Sequence, residues 1–283
     1  MNINSFHGRN WILLLIFILA LDIKFTEAQI TNSDTHNENF ISSFFHDMKY
    51  VGHDAFSPKQ YQTWKLFAYA GLTAALMAGN DLEMREELGL EKEYQPLGIP
   101  KYLSDIGNLY DKPGTIYFTA GLIGSLYGSG IIFNDQKLQQ TTALVTKSLI
   151  ITGLFNTALK VVIGRARPYM DSGPYEFKPF NFSFNPDYMS MPSGHTSSIF
   201  AMMTVIARQY DHWYVKIPAY TFAASVAIQR INDNKHWSSD ILIGATVGYL
   251  VGSSMVKKYK YKRGYIDIQP IVSLHGAGLN IYF

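Results

Sequence analysis

The chain has 283 residues, 47% of them hydrophobic and 16% charged, with a formal net charge of +2 and no cysteine. That composition supports a sizeable core in one large domain or two small ones and excludes wholesale disorder. It also excludes nucleic-acid binding through overall charge, and an exported product without disulfides is held by core packing alone.

The N-terminal stretch MNINSFHGRNWILLLIFILALDIKFTEAQ sets Arg9 ahead of an apolar core from Trp11 to Leu21, with Thr26-Glu27-Ala28 at the cleavage positions. This core is shorter than the ~20 residues of a membrane span, so residues 1–28 read as a secretory signal peptide. Residues 29–60 are polar, show no clear period and read as an N-terminal arm. Six apolar segments of helix length follow, at Tyr61–Gly79, Thr115–Phe133, Thr141–Ile163, Thr196–Tyr210, Val215–Gln229 and Ile241–Val256. A charged connector, Asn80 to Pro113, separates the first two and has room for a short helix at DLEMREELGL. Residues 259–283 turn towards alternation around His275 to Gly278, which predicts a β-hairpin tail. The expectation is an all-α bundle of about six core helices over residues 61–258, with the active site at one end and that short hairpin behind it.

The chemistry is concentrated in three stretches. SMPSGHTSSIF puts Pro192, Ser193, Gly194 and His195 at the mouth of an apolar helix, where unpaired N–H groups and the helix dipole attract an anion. Upstream, KVVIGRARP carries Lys160 and Arg167, seven apart, a spacing that predicts one shared helix face. Downstream, RINDNKHWSSD carries Arg230, His236 and Asp240; His236 and Asp240 are four apart, a spacing at which a carboxylate accepts an imidazole N–H. In an antiparallel bundle all three stretches fall at one end. His46, His53 and His212 lie outside them and read as surface or packing histidines.

In order and spacing the three stretches resemble the motifs of the superfamily that holds type 2 phosphatidic acid phosphatases, bacterial class A acid phosphatases and vanadium haloperoxidases. The one departure is Gln229, where that superfamily usually has Ser. The resemblance implies a phosphatase acting on phosphate monoesters, lipid phosphates or pyrophosphates. It implies that His236 is the nucleophile that forms a phosphohistidine, that Asp240 orients it, and that His195 protonates the leaving oxygen. It further implies that Lys160, Arg167, Arg230, Ser193 and Gly194 hold the phosphoryl oxygens. Positioning and charge stabilisation dominate phosphoryl transfer, which suits this residue set. No cofactor or metal is expected: the two histidines lack zinc-ligand spacing, and three cations surround them. The alternatives are a vanadate-dependent haloperoxidase and a noncatalytic phosphate-binding protein.

The expected partner is a phosphorylated small molecule or lipid, with contact to a membrane surface and none to nucleic acid. The segment YEFKPFNFSFNPDYM, Tyr175 to Met189, either lines the rim of an entrance or packs a loop onto the bundle. Lys147 inside the third segment, the short fifth segment and a mean hydropathy near zero favour an exported, periplasmic domain. The alternative is an integral membrane protein with a periplasm-facing site, which the basic cluster from Lys257 to Arg263 at the non-catalytic end would suit.

Overall fold

The computed structural model describes residues 40–56, 99–262, 267–273 and 276–282, with helical positions 68, 70–74, 78, 79, 81 and 82. The expected signal peptide, most of the first apolar segment and most of the short helix expected in the connector lie outside the described residues. The described helices are α1 (Phe40–Phe56), α2 (Ile99–Asp111), α3 (Thr115–Ile132), α4 (Gln136–Ile163), α5 (Gly194–Gln209), α6 (Trp213–Asn232) and α7 (Ser238–Lys262). After them, β1 (Asp267–Ser273) and β2 (Gly276–Tyr282) pair antiparallel, from Asp267 opposite Tyr282 to Ser273 opposite Gly276.

Local chemistry sets the helix boundaries. Asp135 caps α4, its Oδ1 accepting from the N–H of Lys137 at 2.8 Å and of Leu138 at 3.1 Å, so the helix starts five residues before the apolar run. At the other end Gly164 takes a left-handed φ of 61°, and a Cβ there would lie 1.7 Å from the carbonyl oxygen of Lys178. Arg167 therefore falls beyond α4, and the helix face it was expected to share with Lys160 does not exist.

Two helices escape a hydrophobic reading because their buried faces are polar or small. On α1 the inward positions are Ser43, Asp47, Val51 and Asp54. Lys147 of α4 donates to Asp47 at 2.8 Å and Ser43 at 2.7 Å; Lys258 also pairs with Asp47, and Ser254 donates to Asp54 at 2.6 Å. Part of the N-terminal arm is thus fixed to α4 and α7 by buried ion pairs. On α2 the inward positions are Ser104, Gly107 and Tyr110, and a Cβ on Gly107 would lie 2.4 Å from the Ser225 carbonyl oxygen of α6.

The contact that matters most for the site joins α5 to α7. Gly244, Gly248 and Gly252 recur every four residues on α7, and a Cβ on each would lie 2.8, 2.2 and 2.8 Å from the carbonyl oxygens of Ser193, Ser197 and Ala201. The two helices run parallel in backbone contact, as small residues at this spacing permit. Leu144 and Ile151 of α4, Ile199, Met202 and Val205 of α5, and Val251 and Met255 of α7 form the core around that contact.

Among the described residues, three helical stretches are long and apolar enough to cross a membrane: Thr115–Ile132, Gln136–Ile163 and Ser238–Tyr259. The first carries no charged residue and buries only Thr119 and Gly130, with Tyr117, Ile131 and Ile132 more than half exposed. An uncharged helix with so few buried residues suits an apolar surrounding.

Gly248→Ala is expected to lower thermal stability by about 1–3 kcal/mol through overpacking against the α5 backbone. Gly124→Ala on α3, whose Cβ would meet nothing within 4 Å, should be neutral or slightly stabilising. Thermal unfolding of both variants in detergent checks the contrast, and equal effects would contradict the close approach.

Candidate active site

Four helix ends meet at one end of the bundle: those of α4 and α6 arriving, and those of α5 and α7 leaving, with the α2–α3 turn beside them. Beneath them lies Arg165, fully buried. Its Nη1 donates to Asp240 Oδ1 at 2.7 Å and Ser239 Oγ at 2.6 Å, its Nη2 to Asp81 Oδ2 at 2.8 Å, and its Nε to the Pro174 carbonyl at 2.9 Å. Asp81 also accepts from Ser239 Oγ at 2.6 Å and from the Ser239 N–H at 3.2 Å. Sequence reasoning misses both residues. Asp81 opens the short helix expected in the charged connector, outside the three motifs, and Arg165 is one of two arginines in a short stretch where only its partners reveal its burial.

Asp240 is held from several sides. Its Oδ2 accepts from Ser190 Oγ at 2.5 Å and from the Trp237 N–H at 3.0 Å. His236 precedes α7 rather than lying on it, and its Nδ1 is 3.6 Å from Asp240 Oδ2. That is ion-pair range but longer than a hydrogen bond, so the bond expected from the four-residue spacing is not formed. Arg165, Ser190 and the Trp237 N–H already occupy the carboxylate. The contact still turns Nδ1 towards Asp240 and leaves Nε2 on the opposite side of the ring.

The cations converge through loops. Lys160 Nζ donates to the carbonyl groups of Met189 and Ser190, the latter at 3.3 Å. Arg167 donates to the carbonyls of Pro186 at 2.9 Å, Lys235 at 3.2 Å and Met189 at 3.4 Å, which ties the second stretch to the residue before His236. Arg230 Nη2 pairs with Asp111 at 3.0 Å and Asp233 at 2.7 Å. Ser193 caps α5: its N–H donates to the Asp240 carbonyl at 3.1 Å and its Oγ accepts from Thr196 Oγ1 at 2.9 Å. A Cβ on Gly194 would lie 3.8 Å from Lys160 Cε, so the first turn of α5 abuts that lysine.

His195 opens α5 next to the α2–α3 turn. Its Nε2 lies 3.0 Å from Thr115 Oγ1 and 3.3 Å from Asp111 Oδ1, and its ring stands edge-on to Tyr110 at 5.9 Å. Asp111 is a third residue that sequence reasoning misses, because it lies outside every motif. Gln229 donates to Asp111 at 3.4 Å and also to Asp233. It thus steadies both carboxylates that hold Arg230.

Burial dominates the electrostatics of both histidines. It pushes His195 down to about 4, with Arg230 adding to the fall and Asp111 opposing it. His236 is held well below the ordinary imidazole range by burial and then by Arg167, Lys160 and Arg230. The hydrogen bond from His195, with help from Arg230, holds Asp111 well below the usual carboxylate range. Burial thus favours the neutral form of both imidazoles beside Lys160, Arg167 and Arg230, an arrangement that suits an oxyanion with two or more negative charges.

The loop from residue 168 to residue 189 rims this end. Phe180, Phe182 and Phe184 are more than half exposed, and Phe180 and Phe184 hold left-handed φ values of 58° and 54°, an uncommon conformation for bulky residues. Phe177 lies over the Arg165 guanidinium and Tyr188 is buried. The loop thus packs through its two ends and exposes its middle.

Residues 142–263 match the family model described as the PAP2 superfamily. A lipid A 1-phosphatase of Porphyromonas gingivalis is 40% identical over 89 residues, covering 29% of this chain and 19% of that protein. A Schizosaccharomyces pombe protein named "Probable diacylglycerol pyrophosphate phosphatase 1" is 25% identical over 179 residues, covering 50% of this chain and 63% of that one. The chain thus spans less than two thirds of the length of either relative. A solved structure, the first transmembrane PAP2 type phosphatidylglycerolphosphate phosphatase from Bacillus subtilis, superposes with a TM-score of 0.52. It is 23% identical and covers 71% of this chain and 97% of its own, a likeness of fold.

A bound dianion offsets the three cations and raises both imidazoles, so binding takes up protons as the pH falls. Sulfate, doubly charged throughout the range, should raise the unfolding temperature more at about pH 5.5 than at about pH 7.5. A thermal-shift titration at the two pH values tests this, and equal stabilisation would contradict it.

Proposed function

We propose, on the premise that residues 142–263 form a domain of the PAP2 superfamily, that this chain is a membrane-embedded phosphatase that hydrolyses lipid phosphate monoesters through His236. The observation that carries the reading is the convergence of Lys160, Arg167, His195, Arg230 and His236 at one end of the bundle, above a buried Arg165–Asp240 pair. The relatives' names support a lipid phosphate as substrate. So do the exposed apolar surface of α3 and the aromatic middle of the rim loop.

In the proposed cycle the phosphoryl group sits among Lys160, Arg167, Arg230, the Ser193 hydroxyl and the N–H groups of the first turn of α5. The Nε2 lone pair of neutral His236 attacks phosphorus, the ester P–O bond breaks, and the departing oxygen takes a proton from His195. Substrate charge raises His195 and lets it carry that proton near neutral pH. A water then attacks the phosphohistidine, giving its proton back to His195, and phosphate leaves. Asp240 steadies the positive charge that develops on the His236 ring. Each residue supplies position or charge to a transition state whose excess negative charge lies on the phosphoryl oxygens.

Lys257, Lys260 and Lys262 lie in the last turns of α7, at the end away from the site. Such basic clusters stay on the cytoplasmic side, which supports a site on the outer, periplasmic face.

The test is phosphate release from phosphatidic acid in detergent, with chelator present, and from p-nitrophenyl phosphate added to intact spheroplasts. Wild type should turn over in both settings. His236→Ala should lose at least about a thousandfold. Lys257→Ala, half exposed on the far side of the bundle, should keep full activity. Undiminished turnover by the His236 variant would overturn the mechanism, and turnover only after lysis of the spheroplasts would overturn the placement.

A further inference from the structure

The proposed cycle has no task for Asp111, yet its carboxylate stands 3.3 Å from Nε2 of His195, the ring that would protonate the departing oxygen. The carboxylate is fixed from the α6 side. Arg230 Nη2 donates to Oδ2 at 3.0 Å and Nη1 to Oδ1 at 3.5 Å, and Gln229 Nε2 donates to Oδ2 at 3.4 Å. Its own backbone is the last turn of α2, whose Gly107 lies against α6, so helix packing keeps the residue beside Arg230. It is nevertheless one-third exposed, which opens it towards the mouth of the site. Thr115, four residues on, approaches the same nitrogen of His195 at 3.0 Å, so the whole α2–α3 turn borders the leaving-group side.

A fixed negative charge at that position discriminates between leaving groups. The oxygen that departs from a monoester of an alcohol or a sugar is protonated by His195 and carries no charge away. The oxygen that departs from a pyrophosphate belongs to a second phosphate, whose remaining charged oxygens would be set a few ångströms from the carboxylate. At such separations one like-charge pair in a partly exposed site is worth about ten- to a hundredfold.

We infer that Asp111 is a specificity residue of this site, selecting monophosphate esters whose departing group is neutral and disfavouring pyrophosphates. The inference rests on the phosphatase reading above. Gln229 belongs to the same device: a serine there is too short to reach both Asp111 and Asp233, whereas the glutamine donates to both.

The test uses phosphatidic acid and diacylglycerol pyrophosphate, which share one lipid and differ by one phosphate. Wild type should favour the monophosphate in kcat/KM, and Asp111→Asn, which keeps shape and removes charge, should shrink that preference by at least about tenfold. Gln229→Ser, which loosens the carboxylate without removing it, should shift the ratio in the same direction by less. A common factor on both substrates in Asp111→Asn would overturn the inference and leave Asp111 a structural support. A second readout separates this from the phosphatase reading: calorimetric binding of inorganic phosphate and pyrophosphate to the His236→Ala protein, with and without Asp111→Asn. Relief of pyrophosphate binding by Asp111→Asn would uphold the selectivity even if no ester were hydrolysed. Unchanged relative binding would overturn it even if the enzyme turns over.

Discussion

A guanidinium buried between two carboxylates holds the functional end of this molecule together. Arg165 is removed from water, and its charge is tolerable only because Asp81, Asp240, Ser239 and the Pro174 carbonyl surround it. Removing either carboxylate would leave charge uncompensated in the interior, a loss of about 3–5 kcal/mol for a buried pair. Through that one side chain the helical position at Asp81, the loop after α4 and the first turn of α7 become a single unit. Asp240, saturated by Arg165, Ser190 and the Trp237 N–H, then has one fixed orientation, and the His236 ring is set against it. The ring's direction is thus inherited from an ion network rather than from a helix face.

The second constraint is mechanical. The glycine row of α7 brings its backbone against α5, and so fixes the distance between the loop that carries His236 and the helix mouth that carries His195. Around this contact the usual polarity is partly inverted: α3 turns apolar side chains outward, while Asp47, Lys147 and Lys258 pair inside. A bilayer as surrounding solvent accounts for both halves of that pattern, since apolar faces need no cover there and polar groups must satisfy one another.

The same inversion explains what could be read from the residues alone. The grouping of Lys160, Arg167, Ser193, Gly194, His195, Arg230, His236 and Asp240 is legible, because they sit in three short motifs at segment ends and an antiparallel bundle gathers such ends. Helices α1 and α2 were not, because their buried faces are Ser43, Asp47 and Asp54, or Ser104 and Gly107, and hydrophobic periodicity does not register such faces. Asp81, Arg165 and Asp111 were missed for a related reason: an isolated charge in a connector or turn looks solvated until its partners are known. The shared helix face of Lys160 and Arg167 failed at Gly164, whose left-handed backbone ends α4 and sends the arginine to its place through a loop.

The central claim is that His236 carries the phosphoryl group covalently. The most direct measurement is to mix the purified protein with phosphatidic acid labelled at phosphorus, quench within milliseconds, and assay the denatured chain for bound label. The account predicts label that survives base, is lost in acid, maps to the peptide containing His236 and is absent from His236→Ala. Full turnover with no such label on a fast enough quench, or label on another residue, would contradict it.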